Sequence, residues 1–475
     1  MKTELSIPSL EQIVNFFKEE TIDQIAKEIG FSVRKRKLSA IVFLGIFTFG
    51  LIQKANATLV QLISIAKRIL PSLNISPQGL HKRINQSAVD FLMRMFAMSL
   101  SLSIDKDEKL VPLLESFGRV HLLDSSYLTL PEEVAKLFAA PGGSGSKAGA
   151  KIQLMIDYKT GNFSHLWLTD ALTPDQNQMH IAQSHIDRGE LLIHDLGYFS
   201  QDALLNLVEA EAFFLGRFQT QTALYIRTES GDYIKLSLWE IIRQSQDTVR
   251  EIPVYLGAKS RLLCRFIIQS LPEEDVKRRK QKLRARAKKK GKTLSKEKLA
   301  LCGWNLYVTN VDAHVFPACV VPHVYSLRWQ IELVFKAIKS HLGFELITGK
   351  REARICCQLY GRLIILVLSL FLTGQFRQHL WRSCKRELSM LKTFAHLPIV
   401  APMILETLRD PLGLLAILRE VACEIMTLCR MDKRRGLKST AETLRAIVIW
   451  DEEVAKKKTI LSTFHFPLFQ LTIYP

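Results

Sequence analysis

The hydrophobic positions of this chain fall into three successive textures. Residues 1–115 read as helical. Within them, SPQGLHKRINQSAVDFLMRMF opens on Ser76 as an N-cap and Pro77 as the first helical residue. His81, Lys82 and Arg83 follow on its first turns. The segment before it, ATLVQLISIAKRILPSLNI, ends at a Pro-containing turn. Helix, turn and capped basic helix outline a helix-turn-helix DNA reader, an outline that many helical bundles share.

Strand patterns follow. RVHLLDSSYLTL (Arg119–Leu130) has the apolar content of a strand, and Asp124 is expected to end it. KIQLMIDY (Lys151–Tyr158) and FSHLWLTDA (Phe163–Ala171) alternate around the turn KTGN. TPDQNQMHIAQSHID reads as helix, GELLIHDLGY as a buried strand and turn, SQDALLNLVEAE as helix and AFFLGRFQT as strand. The order is β, β, β, α, β, α, β. Strands then dominate to about residue 318 (TALYIRT, IPVYLGA, RLLCRFIIQSL, WNLYVTNV), interrupted by a basic tract from Lys277 to Lys298. After Val324 the chain is helical almost to its end.

One helical segment mixes its residue types unusually. In YSLRWQIELVFKAIK, Tyr325–Lys339, a turn of about 100° per residue puts Tyr325, Arg328, Glu332 and Lys339 on a stripe about 60° wide. Leu327, Ile331, Val334 and Ile338 fall on the opposite face. One face is therefore expected to pack on a core. The other aligns a phenol, a guanidinium, a carboxylate and an ammonium, either as a solvated face with local ion pairs or as part of a site.

Composition narrows the choice. The 475 residues are enough for about two to four domains, and 48% hydrophobic content marks a globular chain. Lys and Arg number 65 against 46 Asp and Glu, a net charge of +19 that points to a polyanionic partner, nucleic acid before an anionic membrane. MKTELSIPSLEQ has no apolar core of a signal peptide. Ala40–Ile52 and Leu363–Gly374 are apolar runs too short to span a bilayer and are expected to be buried helices. The eight cysteines are scattered without a C-x-x-C pair, as expected of reduced cytosolic thiols. Cys319 and His323 lack a second metal-ligand pair. PGGSGSKAG (Pro141–Gly149) fails as a phosphate loop because Ala148 follows Lys147 where Ser or Thr is needed, and it reads as a flexible basic loop.

Three carboxylates stand at telling places. Asp124 and Asp195 close strands that this order would set side by side, and Glu332 lies on the polar stripe of a helix that could pack on the sheet. Three convergent carboxylates can bind a pair of hard divalent cations, and such a pair serves in-line phosphoryl displacement.

At these residues the chain resembles the DDE transposases of bacterial insertion sequences, in the Y-R-E-K branch (the insertion-sequence-four family). Tyr325, Arg328, Glu332 and Lys339 match that signature without a gap. LLDSS with Asp124 and HDLGY with Asp195 match the two acidic motifs. The strand-rich block before Glu332 is similar to the family's inserted β domain, and GWNLYVTNV to its last strand. The resemblance covers about Arg119 to Leu370 well and the N-terminal helices more loosely.

The resemblance implies a fold and roles. The fold is an RNase H-like mixed α/β sheet with helices, interrupted by an inserted β-rich domain and flanked by helical regions. The expected divisions are an N-terminal, DNA-end-binding region at 1–115, a first catalytic part at 116–218 and the insert with its basic tract at 219–320. Closing catalytic helices follow at 321–400 and a C-terminal helical region at 401–475. Asp124, Asp195 and Glu332 would be catalytic and hold two Mg2+ or Mn2+ ions. Tyr325, Arg328 and Lys339 would hold phosphates of the element end, and Trp304 would stack on a flipped base, unless it is a core residue of the insert. Arg217 either touches DNA or forms a structural ion pair. Implied partners are double-stranded DNA (terminal inverted repeats and target) and a second copy of the chain on paired ends, with no membrane. The implied place is the cytoplasm, at the nucleoid. The implied reaction is cleavage of element ends and joining of the 3′ hydroxyl to target DNA. A catalytically silent DNA-binding regulator and a plain RNase H-like nuclease are the alternatives.

Overall fold

Caps and apolar periods account for the N-terminal helices. In a computed structural model describing residues 10–32, 37–102, 112–142, 145–245 and 247–432, these are α1 (Leu10–Phe16), α2 (Glu19–Glu28), α3 (Ala40–Phe47), α4 (Phe49–Gln53), α5 (Leu59–Ile69), α6 (Pro77–Arg83) and α7 (Gln86–Ser99). The N-terminal stretch 1–9, part of the Pro141–Gly149 loop, and residues 433–475 of the C-terminal region lie outside the described residues. Thr58 and Gln61 form a reciprocal capping box on α5. Ser76 caps α6 through Gly79 N, with Pro77 in its first turn.

The helix expected after Ser76 is two helices. Ile84 leaves helical backbone, and the Asn85 side chain caps α7 by accepting from Ala88 N. Arg83 does not face outward with Lys82. It is buried, donates to Phe31 O at 2.8 Å and lies 4.1 Å from the centre of the Phe31 ring. Arg351 Nη1 meets His81 Nε2 at 2.8 Å. Two of the three bases of the supposed reading helix are thus tied to other parts of the protein.

The strands are β1 (Val120–Leu130), β2 (Ala148–Asp157), β3 (Phe163–Asp170), β4 (Leu191–His194), β5 (Phe213–Arg217), β6 (Leu224–Arg227), β7 (Tyr233–Leu236), β8 (Val249–Leu256), β9 (Leu262–Ser270) and β10 (Trp304–Thr309). They form one mixed sheet in the order β3-β2-β1-β4-β5-β10-β9-β8-β6-β7. β1 to β3 are antiparallel neighbours, while β4 and β5 run parallel to β1. This is the RNase H-like arrangement expected. The strand-rich block expected as an insert does not close a sheet of its own: β10 pairs with β5 on one side and β9 on the other, so its strands extend the same sheet.

Helices α8 (Asp175–Gln183) and α9 (Gln201–Glu209) flank β4 in the chain. In the insert, β7 and α10 (Leu238–Gln244) were not expected. β7 is an exposed edge strand with no apolar alternation to betray it. The basic tract falls in α11 (Glu273–Lys289) and α12 (Lys296–Leu301), neither of which buries a residue, with Gly291 breaking the path at φ 58°.

Alternate residues of the central strands feed opposite faces. Leu122, Leu154, Ile193 and Leu215 join one apolar cluster, and Leu123, Met155, Leu192 and Phe214 join the other. The first cluster holds the N-terminal helices together with α13 (Val321–Tyr325), α14 (Trp329–His341), α15 (Glu352–Cys384), α16 (Met390–Thr407) and α17 (Pro411–Leu428).

The run Leu363–Gly374 lies within α15, a helix of 33 residues that is long and apolar enough to cross a membrane. Its most apolar window is 94% buried inside the protein, which makes it the central core helix of the bundle. Arg362 anchors it, donating to the carbonyls of Leu342, Gln358 and Ala55, and burial lowers its pKa to about 10. Because Leu342 directly follows α14, this guanidinium fixes the far end of the helix that carries Glu332.

Candidate active site

β1 and β4 are paired in parallel as far as Leu123 and His194. Asp124 and Asp195 are the next residues on each, so the register itself sets them side by side. Asp124 does not end its strand. Antiparallel pairing with β2 carries β1 on to Leu130, so Asp124 is held mid-strand, with Ser125 N donating to its Oδ1 at 2.8 Å. Asp195 caps a single 3-10 turn, Leu196–Tyr198, accepting from Gly197 N at 3.4 Å.

The segment carrying the third carboxylate is not one helix. α13 ends at Tyr325, Ser326–Arg328 form a 3-10 turn, and α14 begins at Trp329. Glu332 therefore lies in the first turn of α14, where the helix dipole favours a carboxylate. The buried face is as expected: Leu327, Ile331, Val334 and Ile338 pack into the first apolar cluster.

Arg328 stands between the three acids. Its Nη1 is 2.9 Å from Asp124 Oδ2, its Nη2 is 2.5 Å from Glu332 Oε1, and its Nε approaches Asp195 Oδ1 at 3.7 Å, an ion-pair distance too long for a hydrogen bond. The side chains of Asp124 and Arg328 are 16% and 17% exposed, and that of Asp195 is 40% exposed, which puts Asp195 at the rim. Burial pushes the Asp124 carboxyl up to about 6, with Asp195 and Glu332 adding to the rise and Ser125 N and Arg328 opposing it. Burial would lower Arg328, but Tyr325 and the three carboxylates hold it above its ordinary value.

The donor set, three carboxylates, suits a hard divalent cation. Among the described residues, however, no three His, Cys, Asp or Glu side chains are close enough together to hold an ion directly. The acids face one another across the guanidinium.

A support layer escaped the sequence reading. Tyr198, in the HDLGY motif, is buried and donates to Gln153 Oε1. Gln153 lies opposite Ser125 in the β1–β2 register and donates to Asp175 Oδ1 at 3.2 Å; Lys151 Nζ meets the same oxygen at 3.1 Å. The turn after Asp195 is thereby pinned to the strand beside Asp124. The signal in the sequence was a lone Gln at an apolar position of KIQLMIDY. His194, wholly buried, places Nδ1 2.9 Å from the Asp195 carbonyl, and its ring fills the space over Gly216 on β5. Trp329, next to Arg328, is 55% exposed, unusual for so large an aromatic.

The remaining stripe and insert residues separate. Tyr325 is buried rather than displayed: its ring packs 5.2 Å from that of Tyr307 on β10, and burial pushes its phenol well above the usual range. Lys339 is half-buried on α14, with no ion-pair partner among the described residues. Arg217 ends β5 opposite Tyr307 and reaches Asn305 Oδ1 at 3.5 Å, making no carboxylate pair among the described residues. Arg279 of α11 donates to the same oxygen at 2.8 Å and to the Trp304 carbonyl at 3.2 Å. Trp304 itself is half-buried at the start of β10, against the second apolar cluster.

Comparison with known proteins identifies the family. The family described as "Transposase DDE domain" matches residues 115–368. The transposase for insertion sequence element IS231E of Bacillus thuringiensis subsp. finitimus is 32% identical over 387 residues, 78% of this chain and 80% of that protein. The transposase for IS1151 of Clostridium perfringens is 29% identical over 462 residues, 94% of this chain and 98% of that one. Among solved structures, a piggyBac transposase synaptic complex with hairpin DNA aligns over 94% of this chain and 88% of that chain, at 11% identity and a TM-score of 0.44. DDE transposases as a class generally use divalent metals. With the family match spanning more than half of its length, this chain belongs to the DDE transposases.

Proposed function

We propose that this transposase cuts the ends of an insertion-sequence element and joins the freed 3′ hydroxyl to target DNA. Asp124, Asp195 and Glu332 would hold two Mg2+ or Mn2+ ions. The observation that carries this reading is the convergence of these acids from β1, the end of β4 and α14 on one shared cation, Arg328. Two divalent ions in such a site supply charge stabilisation to the attacking and leaving oxygens of a phosphoryl displacement. The chain's own residues bind and orient the DNA. Arg328 and Lys339 hold phosphates of the element end, the first through a planar fork and the second as a point charge. Tyr325 backs Arg328, whose guanidinium carbon lies 5.8 Å from the phenol ring centre. Trp304 and Trp329 offer aromatic faces to bases unstacked near the cut. Arg217 and Arg279, converging on Asn305, form a basic wall beside Trp304. Two protomers would act on two paired ends, with the N-terminal region contributing to end binding.

Inverted repeats flanking the gene supply the test substrate. A duplex ending in that repeat is expected to be cut at the element boundary in Mg2+, and a scrambled duplex of equal length is not. Equal cutting of both would identify a general nuclease instead.

The exposed basic tract Lys277–Lys298, on α11, α12 and the turn between them, is proposed to track the DNA backbone. Each phosphate it neutralises releases counterions, so log affinity falls linearly with log salt. Changing Lys288, Lys289, Lys290 and Lys292 to Gln is expected to flatten that slope by about 0.9 per lost contact. Cleavage at saturating protein should persist, because these exposed side chains make no contact with the carboxylates. An unchanged slope would reduce this tract to a solvated surface.

A further inference from the structure

Arg328 is committed twice over. Its two terminal nitrogens are each engaged by a carboxylate, Asp124 and Glu332, and its Nε faces the third, Asp195. A guanidinium fork so engaged has no free edge for a bidentate pair with phosphate. The carboxylate oxygens it occupies are, equally, not free as metal ligands. The phosphate-holding role given to Arg328 above and its position in this structure therefore describe two different states of one side chain.

We propose that Arg328 is an internal counter-cation that keeps the three carboxylates engaged in the DNA-free protein and yields them to divalent ions as it moves to a phosphate of the element end. The inference rests on the metal-site reading given under Proposed function. Its physical basis is charge balance. Three carboxylates converging on one partly buried guanidinium repel one another. Arg328 relieves that repulsion when no ion is bound. Two divalent ions alone outweigh three carboxylates in charge, and a guanidinium that stayed among them would widen that excess in a partly buried site. Were it to leave without an ion arriving, the carboxylates would be uncompensated. A phosphate of the element end changes this balance by offering Arg328 a new anionic partner.

Arg328 can make this exchange locally. It lies in the 3-10 turn before α14, while the neighbouring apolar residues Leu327 and Ile331 remain fixed in the core. Only side-chain torsions of Arg328 need change. By linkage, whatever draws Arg328 away from the carboxylates favours ion binding, and ion binding favours end binding by the same factor. A protein without an element end would then take up metal weakly, which would guard against cutting at stray phosphodiesters.

The test is calorimetric titration of Mn2+ into the full-length protein without DNA, and again with a pre-cut duplex of the terminal repeat, on which nothing is left to cleave. The wild type is expected to bind Mn2+ about tenfold more tightly in the presence of the end duplex. Arg328→Gln should bind Mn2+ about tenfold more tightly than the wild type in the absence of DNA, and the duplex should add nothing further. Equal Mn2+ affinity in wild type and variant, in the presence of normal folding by circular dichroism, overturns the proposal but leaves the metal site standing. If Asp124→Asn binds Mn2+ as the wild type does, the metal-site reading itself fails. Should the Gln variant not fold, Arg328→Lys takes its place. A compact ammonium cannot span Asp124 and Glu332 as the fork does, so tighter Mn2+ binding than wild type is again expected. No change in that variant also overturns the proposal.

Discussion

Replacing Glu332 by Gln, or Asp124 or Asp195 by Asn, is expected to lower end cleavage by about three orders of magnitude, while end binding measured without divalent ions stays within about threefold. Each change removes one charge with almost no change of shape. The loss of rate follows because the displaced charge is one that would hold a divalent ion, and such an ion supplies several kcal/mol at the reacting phosphate. Binding survives because none of the three acids is a cation that could contact phosphate. Stability gives a second readout. Burial makes the charged form of Asp124 costly, so Asp124→Asn should not lower the melting temperature appreciably. Arg328 keeps Glu332 and Asp195 beside it in that variant, so the guanidinium is not stranded, whereas acids with a purely structural role would show a loss of stability without a selective loss of cleavage. Cleavage assayed on the terminal-repeat duplex, with binding followed by gel shift and melting by calorimetry, separates the two. A fully active Glu332→Gln protein would remove Glu332 from the site.

Gly216→Ala is expected to cost about 1–3 kcal/mol of stability and to reduce cleavage at least as strongly as its stability loss predicts. Gly216 lies on β5 opposite His194 on β4, and a methyl group there would overlap the imidazole ring. His194 cannot retreat, because it is wholly buried, and its Nδ1 is bound to the carbonyl of Asp195. The strain therefore falls on the backbone that presents the Asp195 carboxylate. The double variant His194→Ala/Gly216→Ala should be more stable than the sum of the single changes implies, since the smaller residue makes room for the methyl. Thermal unfolding of the four proteins of this cycle gives the answer. Strict additivity would mean that the two residues do not meet as described and that His194 does not position Asp195.

Much of the site was legible because its signals are local. The four-residue signature from Tyr325 to Lys339 depends on helical period alone, and the apolar residues opposite it are buried as that period requires. The first five strands and two helices of the catalytic sheet were readable from alternation, turns and caps. β7 was not, since an exposed edge strand has no buried face to impose a pattern. The break between α6 and α7 was missed because Asn85 reads as an interior residue until its side chain is seen to cap Ala88. The basic tract could be recognised by composition, but its helical form contributes no buried side chain to a period.

Primary structure therefore sets the identity and order of the chemical groups: three acids, a Tyr-Arg-Lys set at helical spacing and the elements that carry them. The tertiary structure decided where those groups stand relative to one another. Asp124 is mid-strand because β2, a separate segment, extends the pairing past it to Leu130. Tyr325 is buried because β10 brings Tyr307 against it. Arg83 is buried because Phe31 covers its guanidinium. Arg328 is engaged by Asp124 across 204 positions of sequence, in a contact that no local period encodes. Local preferences are set by a residue's own turn or strand and survive in one dimension. The partner of a charged side chain is set by register and packing between distant segments, and these appear only when the chain has folded.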